Sequence, residues 1–91
     1  MSENMQSEDI IKRIDKCIIK SSNSGILEQM LNDDTDLISD LMFDSISIIS
    51  LVVELEDEFD FEFDEEYLIL EHLRQYRWIV KYIETKVIIS E

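Results

Sequence analysis

The chain has no proline, a single glycine (Gly25), one cysteine (Cys17) and one histidine (His72) in 91 residues. An all-β fold needs frequent tight turns, which rest on glycine and proline, so their scarcity argues for helices. A single cysteine excludes an internal disulfide and a cysteine metal cluster. Cys17 lies among Ile10, Ile14 and Ile18, where it reads as a small buried hydrophobe. A lone histidine has no cysteine or second histidine with which to build a triad or metal site, so His72 is expected at the surface or half-buried. Long apolar runs are missing as well. The longest, Ile46 to Val53, is short and broken by Ser47 and Ser50, too short to span a bilayer. Met1 to Asp9 is polar and acidic, unlike a secretory signal, so a cytoplasmic location is expected.

The most informative absence is of positive charge. All eight Lys and Arg residues fall in two flanks, Lys12 to Lys20 and Arg74 to Lys86, while Ser21 to Leu73 holds sixteen Asp and Glu. The net charge is −14. Such a stretch repels nucleic acid and anionic membranes, and it attracts basic protein surfaces mainly by speeding encounter.

What is present reads as one helical domain over 1–91, with an ordered core at about 7–88. Ile10, Ile11, Ile14, Cys17 and Ile18 recur at helical spacing. They predict a helix from about Ser7, its expected cap, to Lys20, broken by Ser21 to Gly25. Ile26 to Leu31 suits a short helical turn within a connection running to Asp44. A second helix is expected from Ser45 to about Phe59 on the stripe Ile48, Leu51, Val52, Leu55 and Phe59. Its C-terminal half carries Glu54, Glu56, Asp57 and Glu58, the wrong end for acids in the helix dipole. Phe61 and Phe63 should pin the next loop to the core. Asp64 is expected to cap a short helix from Glu65 to about Leu70, and a last helix should run from roughly Leu73 to Val87. Its face is Tyr76, Ile79, Val80, Ile83 and Val87, with Trp78 at the edge. The architecture expected is all-α, a small bundle of three longer helices and one short one.

Chemistry concentrates in Asp40-Leu41-Met42-Phe43-Asp44-Ser45-Ile46. A loop delivers a serine hydroxyl to the first turn of a helix, beside a carboxylate. A phosphate ester there would meet the positive end of the helix dipole. Serine in this position also suits a plain helix cap. No base lies beside Ser45 in sequence, so an external enzyme must activate it; catalytic residues and protein metal ligands are expected to be none.

This segment resembles the prosthetic-group site of acyl and peptidyl carrier proteins, Asp-Leu-Gly-x-Asp-Ser-Leu/Ile. Asp34-Thr35-Asp36-Leu37, the run Leu51 to Asp60 and Val80-Lys81-Tyr82-Ile83-Glu84 resemble the segments that surround that site in the same order. The resemblance implies a four-helix, acyl-carrier-protein-like fold. It implies 4′-phosphopantetheine, taken from coenzyme A, on Ser45, and an arm that carries acyl groups as thioesters. Asp44, Ile46, Glu56 and Asp57 become partner-recognition residues, while Leu51, Leu55, Phe59 and Phe63 pack the core and line a groove for the cargo. The implied partners are a phosphopantetheinyl transferase, an acyl- or aminoacyl-loading ligase, and synthase or transferase enzymes with basic docking surfaces. Nucleic acid and membrane are not expected partners, and a monomer is.

Some positions depart from the pattern. Met42 stands for glycine and should make the loop less able to take an unusual backbone angle. Ser47 and Ser50 stand where fatty-acid carriers have acids, and Asp64 where proline is frequent. These departures point toward a specialised pathway of polyketide or nonribosomal peptide type, with an aminoacyl or peptidyl carrier as the alternative. From another class, an acidic module that occupies basic clefts explains the charge but not the Asp44-Ser45-Ile46 context. Asp33, Asp34, Asp36 and Asp40 fail the spacing of an EF-hand loop.

Overall fold

The computed structural model describes residues 7–22, 25, 26 and 28–88. It contains four helices: α1 (Ser7–Ser21), α2 (Ser45–Phe59), a single turn α3 (Leu70–Leu73) and α4 (Tyr76–Ile88). Two 3-10 turns, Glu28–Met30 and Glu65–Tyr67, interrupt the connections. The architecture is the all-α bundle of three longer helices and a short one, without strands among the described residues. Met1 to Gln6 and the side chain of Ser7, its expected capping included, lie outside the described residues.

Each long helix forms because its apolar residues share one face. Ile10, Ile14, Cys17 and Ile18 of α1 meet Ile48, Leu51 and Leu55 of α2 and Tyr76, Ile79, Val80 and Ile83 of α4 in one core. Leu55, Ile14, Ile79 and Ile83 have no exposed surface, and each such aliphatic side chain contributes about 1.5–3 kcal/mol by leaving water. The Cys17 thiol points at the Glu54 carbonyl (3.8 Å). Burial, together with the nearby Glu58 and Glu54, pushes its pKa up to about 11, so it is an inert packing residue.

One polar pair crosses this core. The Tyr76 hydroxyl donates to the Asp15 carboxylate at 2.6 Å, and both residues are buried. Burial raises the Asp15 pKa against the Tyr76 hydrogen bond, and the charge of Glu28 raises it further.

The chain between α2 and α4 departs from expectation. The helix expected over Glu65 to Leu70 is a 3-10 turn ending at Tyr67, and the turn α3 follows it. Leu68 leaves the helical region (φ −84°, ψ 65°) and Ile69 is extended (φ −129°, ψ 150°), which separates the two. The last helix starts at Tyr76 rather than Leu73, because Gln75 is drawn into an isolated antiparallel bridge with Asp36. Asp64 makes no capping bond. Its carboxylate instead accepts from the Tyr82 hydroxyl (2.8 Å) and pairs with Lys86 (3.0 Å). Phe63 is buried and Phe61 packs against the core, as expected of loop anchors. Trp78 is half-buried at the edge of the α4 face, stacked between Tyr82 (4.8 Å) and the half-buried His72 (4.6 Å).

Candidate functional site

The segment leading into α2 alternates inward and outward. Leu41 and Phe43 are buried, whereas Met42 and Asp44 face solvent. Threading the chain between the two anchors puts Met42 in the left-handed region, φ 63°. Methionine was expected to make the loop less able to take such an angle, yet the loop takes it. The buried neighbours impose the angle, and the side chain accepts it at a cost of about 1 kcal/mol.

Asp44, not Ser45, is the N-cap of α2. Its backbone is extended (φ −108°, ψ −175°) and its carboxylate accepts the Ser47 N–H at 2.8 Å. Hydrogen bonds from the Ser47 backbone and side chain hold its pKa below the usual carboxylate value. Ser45 occupies the first helical position and is exposed, so its hydroxyl takes no part in the cap. That is a suitable place for an esterified phosphate: it needs no rearrangement and lies at the positive end of α2.

Helical geometry divides the rest of α2. Ser47, Ile48, Leu51 and Leu55 turn inward, while Ile46, Ile49 and Val53 stand out at 73%, 63% and 51% exposure. These three share a face by their spacing of three and four. An exposed apolar stripe beside an exposed serine is the least expected property of this helix, because its removal from water would favour a covering partner. Ser47 is buried, so only Ser50, which is exposed, bears on the missing acids.

The structure brings Asp44, Ser45 and Ile46 together and sets Glu56 and Asp57 roughly 17 Å further along the helix. Glu56 is half-buried and accepts the Phe63 N–H (3.0 Å), while Asp57 is exposed. The acids at this end cost less than the dipole implies: Arg13 pairs with Glu58 (2.7 Å) and Lys20 with Glu54 (3.3 Å). Of the expected groove residues, Leu51, Leu55 and Phe63 are buried and Phe59 is half-buried. They sit in the core itself, so a cargo lodged among them would have to part α2 from its neighbours.

Sequence reasoning missed the loop's far anchor. Arg74 Nε donates to Asp36 Oδ2 at 2.8 Å, and its Nη2 reaches Ser39 Oγ at 3.3 Å. The available signal was that Arg74 is the first cation after the cation-free stretch. Asp15 was legible too, since it lies four residues after Ile11 and three before Ile18, on the apolar stripe of α1.

A helical bundle presenting an exposed serine at the head of its second helix, flanked by acids and an apolar stripe, has the form of a carrier domain. The comparisons with known proteins agree. Residues 21–83 match the phosphopantetheine attachment site family. The chain is 34% identical over 59 residues to the acyl carrier protein of Buchnera aphidicola subsp. Baizongia pistaciae, covering 65% of this chain and 73% of that one. To the acyl carrier protein of Chlamydia felis it is 32% identical over 82 residues, covering 90% and 96%. A solved structure of the acyl carrier protein from Enterococcus faecalis superposes with a TM-score of 0.67 at 32% identity, over 87% of this chain and 95% of that one. The chain belongs to the acyl carrier protein family. It is accordingly a carrier and not an enzyme, and its prosthetic group is covalently attached 4′-phosphopantetheine. Proteins of this family work with a phosphopantetheinyl transferase and with synthases and transferases.

Proposed function

We propose that Ser45 is the residue that bears phosphopantetheine, and that the protein, a single carrier domain, serves a specialised assembly pathway of polyketide or nonribosomal peptide type rather than housekeeping fatty-acid synthesis. The observation that carries the first part is the division of labour at the head of α2. Asp44 makes the cap, its carboxylate engaged by the Ser47 N–H, and leaves the exposed Ser45 hydroxyl open to an incoming transferase, which must activate it. When bound, the arm supplies a terminal thiol that holds the acyl group as a thioester.

The exposed stripe Ile46, Ile49 and Val53 supports the second part. Beyond Asp44, a partner reading this face meets apolar side chains before it reaches the carboxylates toward Asp57. Recognition by shape and apolar contact thus adds to the acid–base steering expected of fatty-acid carriers. Asp44 and Ile46 border the serine and become the first contacts of a partner, with Glu56 and Asp57 as distal ones. A loading ligase, acyl- or aminoacyl-specific, and synthases with basic rims around an apolar hollow are the matching enzymes. A cytoplasmic location fits this chemistry; no helix among the described residues is long and apolar enough to cross a membrane.

Intact mass before and after incubation with coenzyme A and a broad-specificity phosphopantetheinyl transferase tests the assignment. One added phosphopantetheine, mapped to Ser45 by peptide fragmentation, is expected. Ser45→Ala should lose it completely with unchanged helical circular dichroism. Loading that survives this substitution would overturn the assignment. Offering the loaded protein to fatty-acid, polyketide and peptide-forming enzymes then tests the pathway, and efficient elongation by fatty-acid enzymes alone would reject the specialised reading.

A further inference from the structure

We infer that Arg74 is a positioning residue for the loop that presents Ser45. This rests on Ser45 being the attachment site.

Residues 35–44 form no helix, and their hydrogen bonds converge on Asp36. The Oδ1 atom of Asp36 accepts the N–H groups of Ile38 (2.9 Å) and Ser39 (3.0 Å), while its carbonyl accepts the Asp40 N–H (2.7 Å). Asp40 Oδ2 in turn accepts the Asp36 N–H (2.8 Å). One oxygen of Asp36 thus shapes the loop, and the other is held by Arg74 Nε at 2.8 Å. The same arginine contributes its backbone, since its carbonyl accepts the Leu37 N–H (2.8 Å), and Leu37 accepts the Phe43 N–H (3.0 Å) just before the cap. An unbroken series of bonds therefore runs from Arg74 to the residue preceding Asp44. Partial desolvation raises the Asp36 carboxyl, but hydrogen bonds from Ser39, Arg74 and Ile38 outweigh it and bring the pKa below the ordinary value.

Two features make an external anchor necessary. Asp33, Asp34, Asp36 and Asp40 crowd one short connection that carries no cation of its own, and they repel one another. Met42 is held left-handed within the same loop, a conformation that persists only where the surroundings over-determine it. Arg77 touches the connection through Asp34 at 3.6 Å with both side chains well exposed, whereas the Arg74–Asp36 pair is 31% exposed on each side. Without Arg74 the loop keeps its buried anchors Leu37, Leu41 and Phe43 but populates open arrangements. A transferase then finds the competent arrangement less often, which raises the apparent KM for the carrier in proportion and leaves kcat unchanged.

The test compares the full-length apo-protein with Arg74→Ala, Arg74→Lys and Asp36→Asn. Its readouts are loading kinetics with coenzyme A and transferase, and amide hydrogen exchange. Arg74→Ala should raise KM about three- to tenfold at constant kcat. Exchange should quicken at Leu37, Asp40 and Phe43 but not at Leu51 or Leu55 in α2. Arg74→Lys, which restores charge without the fork, should recover part of the KM. Asp36→Asn keeps the Oδ1 acceptor and removes the pair, so it should reproduce Arg74→Ala and serves in its place if that variant does not fold. An unchanged KM, or exchange that quickens equally in α1 and α2, overturns the inference. If the wild-type chain takes no arm at all, the Ser45 assignment fails and the exchange pattern alone decides the role of Arg74.

Discussion

The two ends of α2 are held by opposite means. At the N-terminus everything needed is local: Asp44 caps the helix by accepting the N–H of Ser47, three residues on, with an acid at the favourable end of the dipole. At the C-terminus the acids stand at the unfavourable end, and the cations that answer them come from α1, Arg13 and Lys20. Asp60 closes the helix in the left-handed conformation (φ 55°) with its N–H on the Glu56 carbonyl, and Phe63 folds back onto the Glu56 side chain. An end that stabilises itself locally can remain uncovered. Ser45, Ile46 and Ile49 are exposed because the head of the helix does not depend on neighbours there, while the tail is committed to the bundle and has less surface to offer a partner.

Three perturbations sharpen this contrast. Replacing Asp44 by Ala should have the largest effect, lowering the melting midpoint by several degrees with fraying confined to the first turn of α2. Asp44→Asn, an equally good cap, should change it little. Circular dichroism melts and exchange at Ser47 and Ile48 read both. An equal loss in the two variants would show that the charge, not the cap, matters. Met42→Gly should stabilise the protein by about 0.5–1 kcal/mol in urea titration, because it relieves the left-handed strain and removes a side chain that is 78% exposed. A destabilised variant would mean that Met42 makes a contact worth more than its strain. The smallest effect is that of salt. Moderate salt should raise the midpoint slightly, since screening relieves repulsion among the acids of the cation-free stretch more than it weakens the exposed pairs at the helix tail. A fall with salt would put those pairs in charge.

The division between legible and hidden follows the range of the interactions. α2 was readable to its bounds, Ser45–Phe59, since an apolar stripe of period 3.6 is written within one segment, although its cap is Asp44 rather than the serine that also suited the role. The same holds for the buried Cys17 and for the exposed serine at a helix start. The start of α4 was not readable. Its apolar pattern runs back to Leu73, and what ends it is Gln75 pairing with Asp36, almost forty residues away. The left-handed Met42 was hidden for a similar reason. Its own side chain disfavours the angle, and only the simultaneous burial of Leu41 and Phe43 demands it.

By itself the sequence determined the helical class, the three long amphipathic segments, the acidic character and the motif around Ser45, all properties of spacing and side-chain chemistry within a few turns. The tertiary structure alone decided that Arg13 and Lys20 answer the acidic tail of α2, and that Arg74 holds the loop through Asp36. Local periodicity specifies which face of a helix is buried, but which distant charge arrives beside it depends on how the faces pack, and that is set only when the core closes.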